Sequence, residues 1–120
     1  MAARRTSAAR ITLRVFAGDI RAMGPGKAEL VEHIDATGSI SAAARAMGMS
    51  YRRAWQLVEA VNASFRSPVV VTSVGGARGG GAAVTPYGRR LVRSFRALER
   101  KAASAIARDL SAFRRELRRP

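Results

Sequence analysis

Alternating and helical spacings take turns along this chain. Residues 11–17, ITLRVFA, alternate as a strand does, with Ile11, Leu13 and Val15 on one face and Thr12 and Arg14 on the other. Residues 18–26 hold three glycines and Pro25 and read as a turn-rich connection. From Lys27 to Ala36 the spacing becomes helical, with Leu30, Val31 and Ile34 on one side, and Gly38 follows as a left-handed C-cap. Ser39 is an N-cap for a short helix whose apolar set is Ile40, Ala43, Ala44 and Met47, and Gly48 closes it. Ser50 caps another helix, expected to run to Ser64 or Phe65, with Ala54, Leu57, Val58, Val61 and Phe65 as its apolar side.

Pro68 stops that helix. Residues 68–74, PVVVTSV, are β-branched and strand-like, residues 75–82, GGARGGGA, form a glycine loop, and Ala83–Val84 return antiparallel. The unit reads as a hairpin with a mobile tip. Thr85 followed by Pro86 is a helix start, with Pro at the first helical position where its missing N–H does no harm. From Tyr87 to about Arg118 no proline interrupts the pattern. One helix of roughly 30 residues would be about 45 Å long, against about 35 Å for a compact domain of this size. Its stripe is Leu91, Phe95, Leu98, Ala102, Ile106, Leu110, Phe113 and Leu117, a heptad-like seam with one irregularity. A projecting helix with such a seam predicts a homodimer. The alternative is a segment that folds back in two pieces on its own core.

Strand, helix, helix, break, helix, hairpin, helix is the order of a winged helix-turn-helix, mainly α with a small β-hairpin. The expected organisation is a basic arm over 1–10, the winged domain over 11–84, and a dimerisation helix over 85–120. At about 100° per residue, the apolar set of the helix after Ser50 sends Arg52 and Gln56 directly outward. Arg53 falls on one flank, Tyr51 and Trp55 on the other. No acid precedes Glu59 in that helix. Arginine donates in bidentate fashion to guanine O6 and N7, and glutamine pairs in the same way with adenine N6 and N7. Ser39 and Ser50 cap their helices and are also placed to meet phosphates. Trp55 is assigned mainly to packing. Tyr51 is open between packing at the core edge and a phosphate contact through its hydroxyl. Arg78, alone among the loop glycines, is the residue through which the wing would reach backbone or minor groove. A nucleotide-binding P-loop would need Gly-Lys-Ser/Thr leading into a helix, and these glycines have no lysine and lie between strand-like segments.

Charge sharpens this picture. Twenty-two basic residues stand against eight acidic ones, a net charge of +14, and twenty of the basic residues are arginine. A GC-rich codon bias accounts for much of the preference for Arg over Lys, but not for the excess over acids. Residues 26–37 carry a net −2, residues 38–84 a net +4 and residues 85–120 a net +8. The first helix is thus the acidic face, turned from a polyanion, and the last helix offers Arg89, Arg90 and Arg93 as further backbone contacts or as a solvated face. There is no cysteine and a single histidine, His33, so neither a zinc site, a disulfide nor a familiar catalytic triad is expected. No clustered carboxylate pair suggests an enzyme. No apolar run spans a bilayer and no signal-peptide core is present, which predicts a soluble cytoplasmic protein without a cofactor.

The runs TGSISAAARAMGMSYRRAW and VVVTSVGGARGGGAAVTPYGRRL resemble the N-terminal DNA-binding domain of molybdate-responsive regulators of the ModE type. The GSI-AA frame, the GMS turn and the closing VTPYG also resemble the winged helix of LysR-type regulators. The resemblance covers roughly residues 11–100. It implies a dimeric bacterial transcription regulator, with Ser50, Tyr51, Arg52 and Arg53 at the start of the recognition helix and Gly75 to Gly81 in the wing. Members of that family continue into small β-barrel domains that bind molybdate. This sequence ends at Pro120 with no oxyanion site in view, so molybdate binding is not expected from these residues alone. The expected partner is double-stranded DNA, and the competing expectation is an architectural or nonspecific nucleic-acid binder driven by charge.

Overall fold

A computed structural model describes residues 10–73 and 81–118. The chain opens with a hairpin of two short antiparallel strands, β1 (Val15–Ala17) and β2 (Ile20–Met23). A two-residue turn joins them, with Gly18 at φ +62 in its first position, where tight hairpin turns demand glycine. The connection expected at 18–26 therefore contains a strand. Strand pairing before it begins only at Val15 rather than Ile11. Met23 and Ala22 of β2 are buried while Ile20 is exposed, so the hairpin anchors at its distal end only.

Three helices follow. α1 (Pro25–Thr37) begins at proline and ends on Gly38 at φ +71, whose N–H donates to the Ile34 carbonyl at 2.8 Å. α2 (Ile40–Ala46) and α3 (Tyr51–Ser64) each have a serine N-cap. The Ser39 hydroxyl accepts from the Ala42 N–H at 3.0 Å, and Ser50 from the Arg53 N–H at 3.0 Å. Each bond satisfies an otherwise orphaned donor of a first turn. Between α2 and α3 the chain turns on Gly48 at φ +68. The Gly48 N–H donates to Arg45 and the Met49 N–H to Ala44, the paired bonds of a Schellman ending. A non-glycine residue would pay for that left-handed conformation with about 1 kcal/mol or more.

β3 (Val70–Ser73) and β4 (Gly81–Val84) form the second hairpin, in the register Val70↔Val84 to Ser73↔Gly81. α4 (Pro86–Ala105) then starts under a Thr85 cap, whose hydroxyl accepts from the Gly88 N–H at 2.9 Å and donates to the Pro68 carbonyl at 2.7 Å. The core is one cluster: Met23 of β2, Ala28, Leu30, Val31 and Ile34 of α1, Ile40, Ala43 and Ala44 of α2, Ala54, Val58 and Val61 of α3, Val69, Val70 and Val84 around the second hairpin, and Val92 and Phe95 of α4. Small Ala43, Ala44 and Ala54 let α1, α2 and α3 approach closely. Gly88 has a stricter reason. A Cβ there would stand 2.5 Å from the Val69 carbonyl oxygen and 2.9 Å from its Cγ1, so the first turn of α4 can lie against β3 only without a side chain.

The C-terminal segment departs from one continuous helix. α4 stops at Ala105, Ile106 takes φ −107 and ψ 8, and α5 (Ala107–Arg114) follows. Neither proline nor glycine marks the break. It falls in the run Leu98, Ala102, Ile106, Leu110, where each four-residue step carries an apolar side chain about 40° further round a straight helix. α5 buries no residue, and the longest dimension of the protein is 55 Å. Among the described residues no helix is long and apolar enough to cross a membrane.

Candidate nucleic-acid interface

α3 lies between the two hairpins. On one flank Tyr51 and Trp55 line a shallow cleft of about 310 Å³ with Ser39, Ser41, Thr72, Ser73 and Ala82, between the start of α2 and the second hairpin. Trp55 is half-buried and packs on the core, as expected. Tyr51 is 50% exposed, so it stands at the mouth of the cleft and its packing role is minor. On the other flank Arg53 approaches Lys27 and the first hairpin. The pKa of Lys27 is lowered, first by partial burial and then by the positive charges of Arg21 and Arg53. Arg52 and Gln56, one turn apart, are both exposed between these flanks, and Glu59 is the first acid after them.

Two features hold α3 against the second hairpin. The Asn62 side-chain carbonyl accepts from the Val69 N–H at 2.8 Å and the Val70 N–H at 3.1 Å, and its amide donates to the Val70 carbonyl at 2.9 Å. The Ala82 N–H donates to the Gly38 carbonyl at 3.0 Å, tying β4 to the turn before α2. Neither contact was signalled by periodicity. An asparagine late in a helix next to a proline-bounded strand is the only clue the chain offered. Ser41, Thr72 and Ser73, which line the cleft, were also absent from the sequence-based set. The loop glycines 75–80, Arg78 among them, and the arm up to residue 9 lie outside the described residues.

The acidic face of α1 meets the last helix. Arg89 grips Asp35 with Nη2 at 3.0 Å and Nε at 3.1 Å. Arg96 reaches Glu32 at 2.8 and 3.0 Å and Glu99 at 2.8 Å. Hydrogen bonding to Glu32 and then to Glu99 raises the Arg96 pKa further above its ordinary value, against a smaller opposing effect of burial. Arg89 is raised by hydrogen bonding to Asp35. The reading of Arg89 as a backbone contact is thereby corrected: its fork is occupied within the protomer. Arg90 and Arg93 remain exposed.

The seam expected to dimerise also divides. Phe95 is 3% exposed and Leu91 is half-buried against the same core, so these two are spent inside the protomer. Leu98 is 50% exposed, Phe113 63% and Leu117 51%; Ala102, Ile106 and Leu110 are half-buried.

A capped helix pair turning on glycine, a following hairpin docked beside the second helix and a long closing helix define a winged helix-turn-helix domain. Sequence comparison places it more narrowly. The chain is 43% identical over 95 residues to the molybdenum-pterin-binding protein MopB of Rhodobacter capsulatus, covering 79% of this chain and 34% of that protein. It is 37% identical over 105 residues to the molybdenum transport protein ModE of Azotobacter vinelandii, covering 78% and 39%. With the DNA-binding transcriptional dual regulator ModE of Escherichia coli K12 the identity is 35% over 88 residues, covering 71% and 34%. No protein-family model matches the chain. The domain is thus a ModE-like domain. The chain spans about a third of the length of these curated relatives.

Proposed function

We propose that this chain is a DNA-binding transcriptional regulator that reads operator DNA in the cytoplasm as a homodimer, with α3 in the major groove. The observation that carries the reading is the pairing of Arg52 and Gln56, exposed one turn apart on α3 with no acid in the helix before Glu59 and a hairpin on either side. Their donor and acceptor patterns suit guanine and adenine edges. Ser39, Ser50 and Tyr51 stand around them as phosphate contacts, and Arg78 supplies the wing. A relative described as a DNA-binding transcriptional regulator supports the same assignment. Exposed Leu98, Phe113 and Leu117, with half-buried Ala102, Ile106 and Leu110, support dimerisation along the C-terminal half of the segment. No molybdate binding is proposed for this chain alone.

The test is selection of a preferred duplex from a random pool, followed by titration against random-sequence DNA at physiological salt. Specific binders typically gain ~10³-fold or more over random duplex. Equal affinities would replace this reading with the architectural binder that a net charge of +14 also favours. Arg52→Ala is expected to weaken the preferred duplex and relax the preference at one base position.

A further inference from the structure

Three cations lie on three neighbouring elements on the flank of α3 away from the second hairpin, where β2 packs against α3. Arg21 belongs to β2, Lys27 to the first turn of α1 and Arg53 to the first turn of α3. Lys27 Nζ donates to the Arg21 carbonyl, which holds the ammonium against the hairpin and leaves two of its three N–H donors uncommitted. The Arg21 guanidinium carbon lies 6.0 Å from the centre of the Phe16 ring, at the edge of cation–π range. Of the three, Arg21 lies in a strand that sequence periodicity had read as plain connection.

What the cluster lacks is as informative as what it holds. Among the described residues, no carboxylate lies within ion-pair distance of any of the three. Two acids of α1 are engaged elsewhere, Glu32 by Arg96 and Asp35 by Arg89, and Glu29 Oε2 stands 3.6 Å from His33 Nε2. The Lys27 ammonium is therefore held against the hairpin without an internal counterion; its pKa is lowered, first by partial burial and then by the charges of Arg21 and Arg53. Such an arrangement opposes stability and is at home where an outside anion supplies the missing charge. The position says which anion. Arg53 is the next residue after Arg52, and about 100° of helical rotation turns it from the base-facing side toward the hairpin.

We propose that Arg21, Lys27 and Arg53 form a phosphate-binding cluster that grips the DNA backbone on the side of α3 opposite the wing. This rests on the DNA-binding reading above. It divides the labour within α3: Arg52 and Gln56 face base edges, whereas Arg53 belongs with Lys27 and Arg21 on the strand. It also makes the β1–β2 hairpin a second wing, contacting phosphate without reading sequence.

The experiment uses the full chain, the duplex selected from a random pool and a random-sequence duplex, with affinity measured over a potassium chloride series. In the double variant Arg21→Gln/Lys27→Gln, the slope of log K against log salt is expected to become shallower by about 1 to 2. Affinity should fall by the same factor on both duplexes, leaving the preference between them intact. Arg53→Gln, an exposed change on a helix surface, is expected to lower the slope by about 1 with the preference retained, unlike Arg52→Ala. Charge-preserving Arg21→Lys/Lys27→Arg is expected to keep the wild-type slope, which separates lost charge from disturbed folding. An unchanged slope in both glutamine variants, with wild-type binding intact, overturns the cluster and leaves the DNA-binding reading standing. Failure of the wild-type chain to bind any duplex removes both.

Discussion

The two ends of the C-terminal helical segment carry similar apolar spacing and have opposite fates. At its start, Gly88 presses on Val69, Val92 and Phe95 enter the core, and Arg89 and Arg96 hold the acids of α1. Among the described residues beyond Leu98 none is fully buried, and the helix breaks at Ile106. A heptad-like stripe therefore specifies an apolar face without specifying its partner. What separates the halves is the company on the other faces. Residues before Leu98 are complemented by a glycine that permits close approach and by arginines matched to carboxylates on a neighbouring helix. Later residues have exposed arginines around them and no complement within the protomer.

The sharpest way to break this comparison is to truncate one aromatic in each half. Phe95→Ala should lower unfolding free energy by about 3–5 kcal/mol, measured by denaturant titration. Phe113→Ala should leave unfolding at high dilution within about 0.5 kcal/mol of wild type while weakening self-association in sedimentation. Equal stability losses would mean that the distal half is also part of the protomer's core. A monomer at micromolar concentration for the wild type would remove the dimer from the proposal. Next in size, Gly88→Ala should destabilise by about 1–3 kcal/mol through overpacking against the Val69 carbonyl, although alanine favours helices. A thermal melt at or above that of wild type would show that β3 yields easily.

A smaller effect is expected at the ion pairs. Arg96, half-buried between two carboxylates, should cost about 1 kcal/mol when replaced by alanine; the loss should shrink in high salt. Its raised pKa means that the folded state keeps this proton more tightly, so the contribution is present at neutral pH, fades in strong alkali as the guanidinium loses its proton, and is also lost in acid once the partner carboxylates are protonated. Lys27 has the opposite sign. A pKa lowered from 10.5 means that the folded state binds fewer protons over the interval just below that value. Stability contributed by this group must then rise as pH climbs through that interval. NMR titration of the Lys27 side chain should place its midpoint below 10.5, and Arg53→Gln should move it back upward. Lys27→Gln is also expected to leave stability unchanged or slightly higher, so that any loss of DNA affinity reflects the contact and not the fold.

Local chemistry made much of this fold legible. Ser39, Ser50 and Thr85 cap where their side chains predict, Gly38 and Gly48 take the left-handed conformation that ends a helix, and Pro86 opens α4. The inward faces of α1, α2 and α3 follow their spacing, and Arg52 and Gln56 point outward as geometry requires. The strand β2 was hidden because its buried residues, Ala22 and Met23, are adjacent rather than alternate, and glycines bracket it. The fates of Arg89 and Phe95 were hidden for another reason. Each depends on a residue more than fifty positions away or on which helix packs where, and no local window holds that information. The cluster of Arg21, Lys27 and Arg53 is of the same kind, assembled from three elements by tertiary packing.

Asn62 has a consequence for how the domain would meet a duplex. Its three hydrogen bonds fasten the final turns of α3 to the first residues of β3, while Ala82 fastens the returning strand to the turn before α2. The gap between α3 and the strands of the second hairpin is thus preset, like the jaws of a calliper locked before use. On the proposed reading, a duplex whose groove matches that gap would be gripped as it stands, and one that does not would have to bend or twist to fit. Sequence-dependent stiffness then enters the affinity at base pairs that no side chain touches.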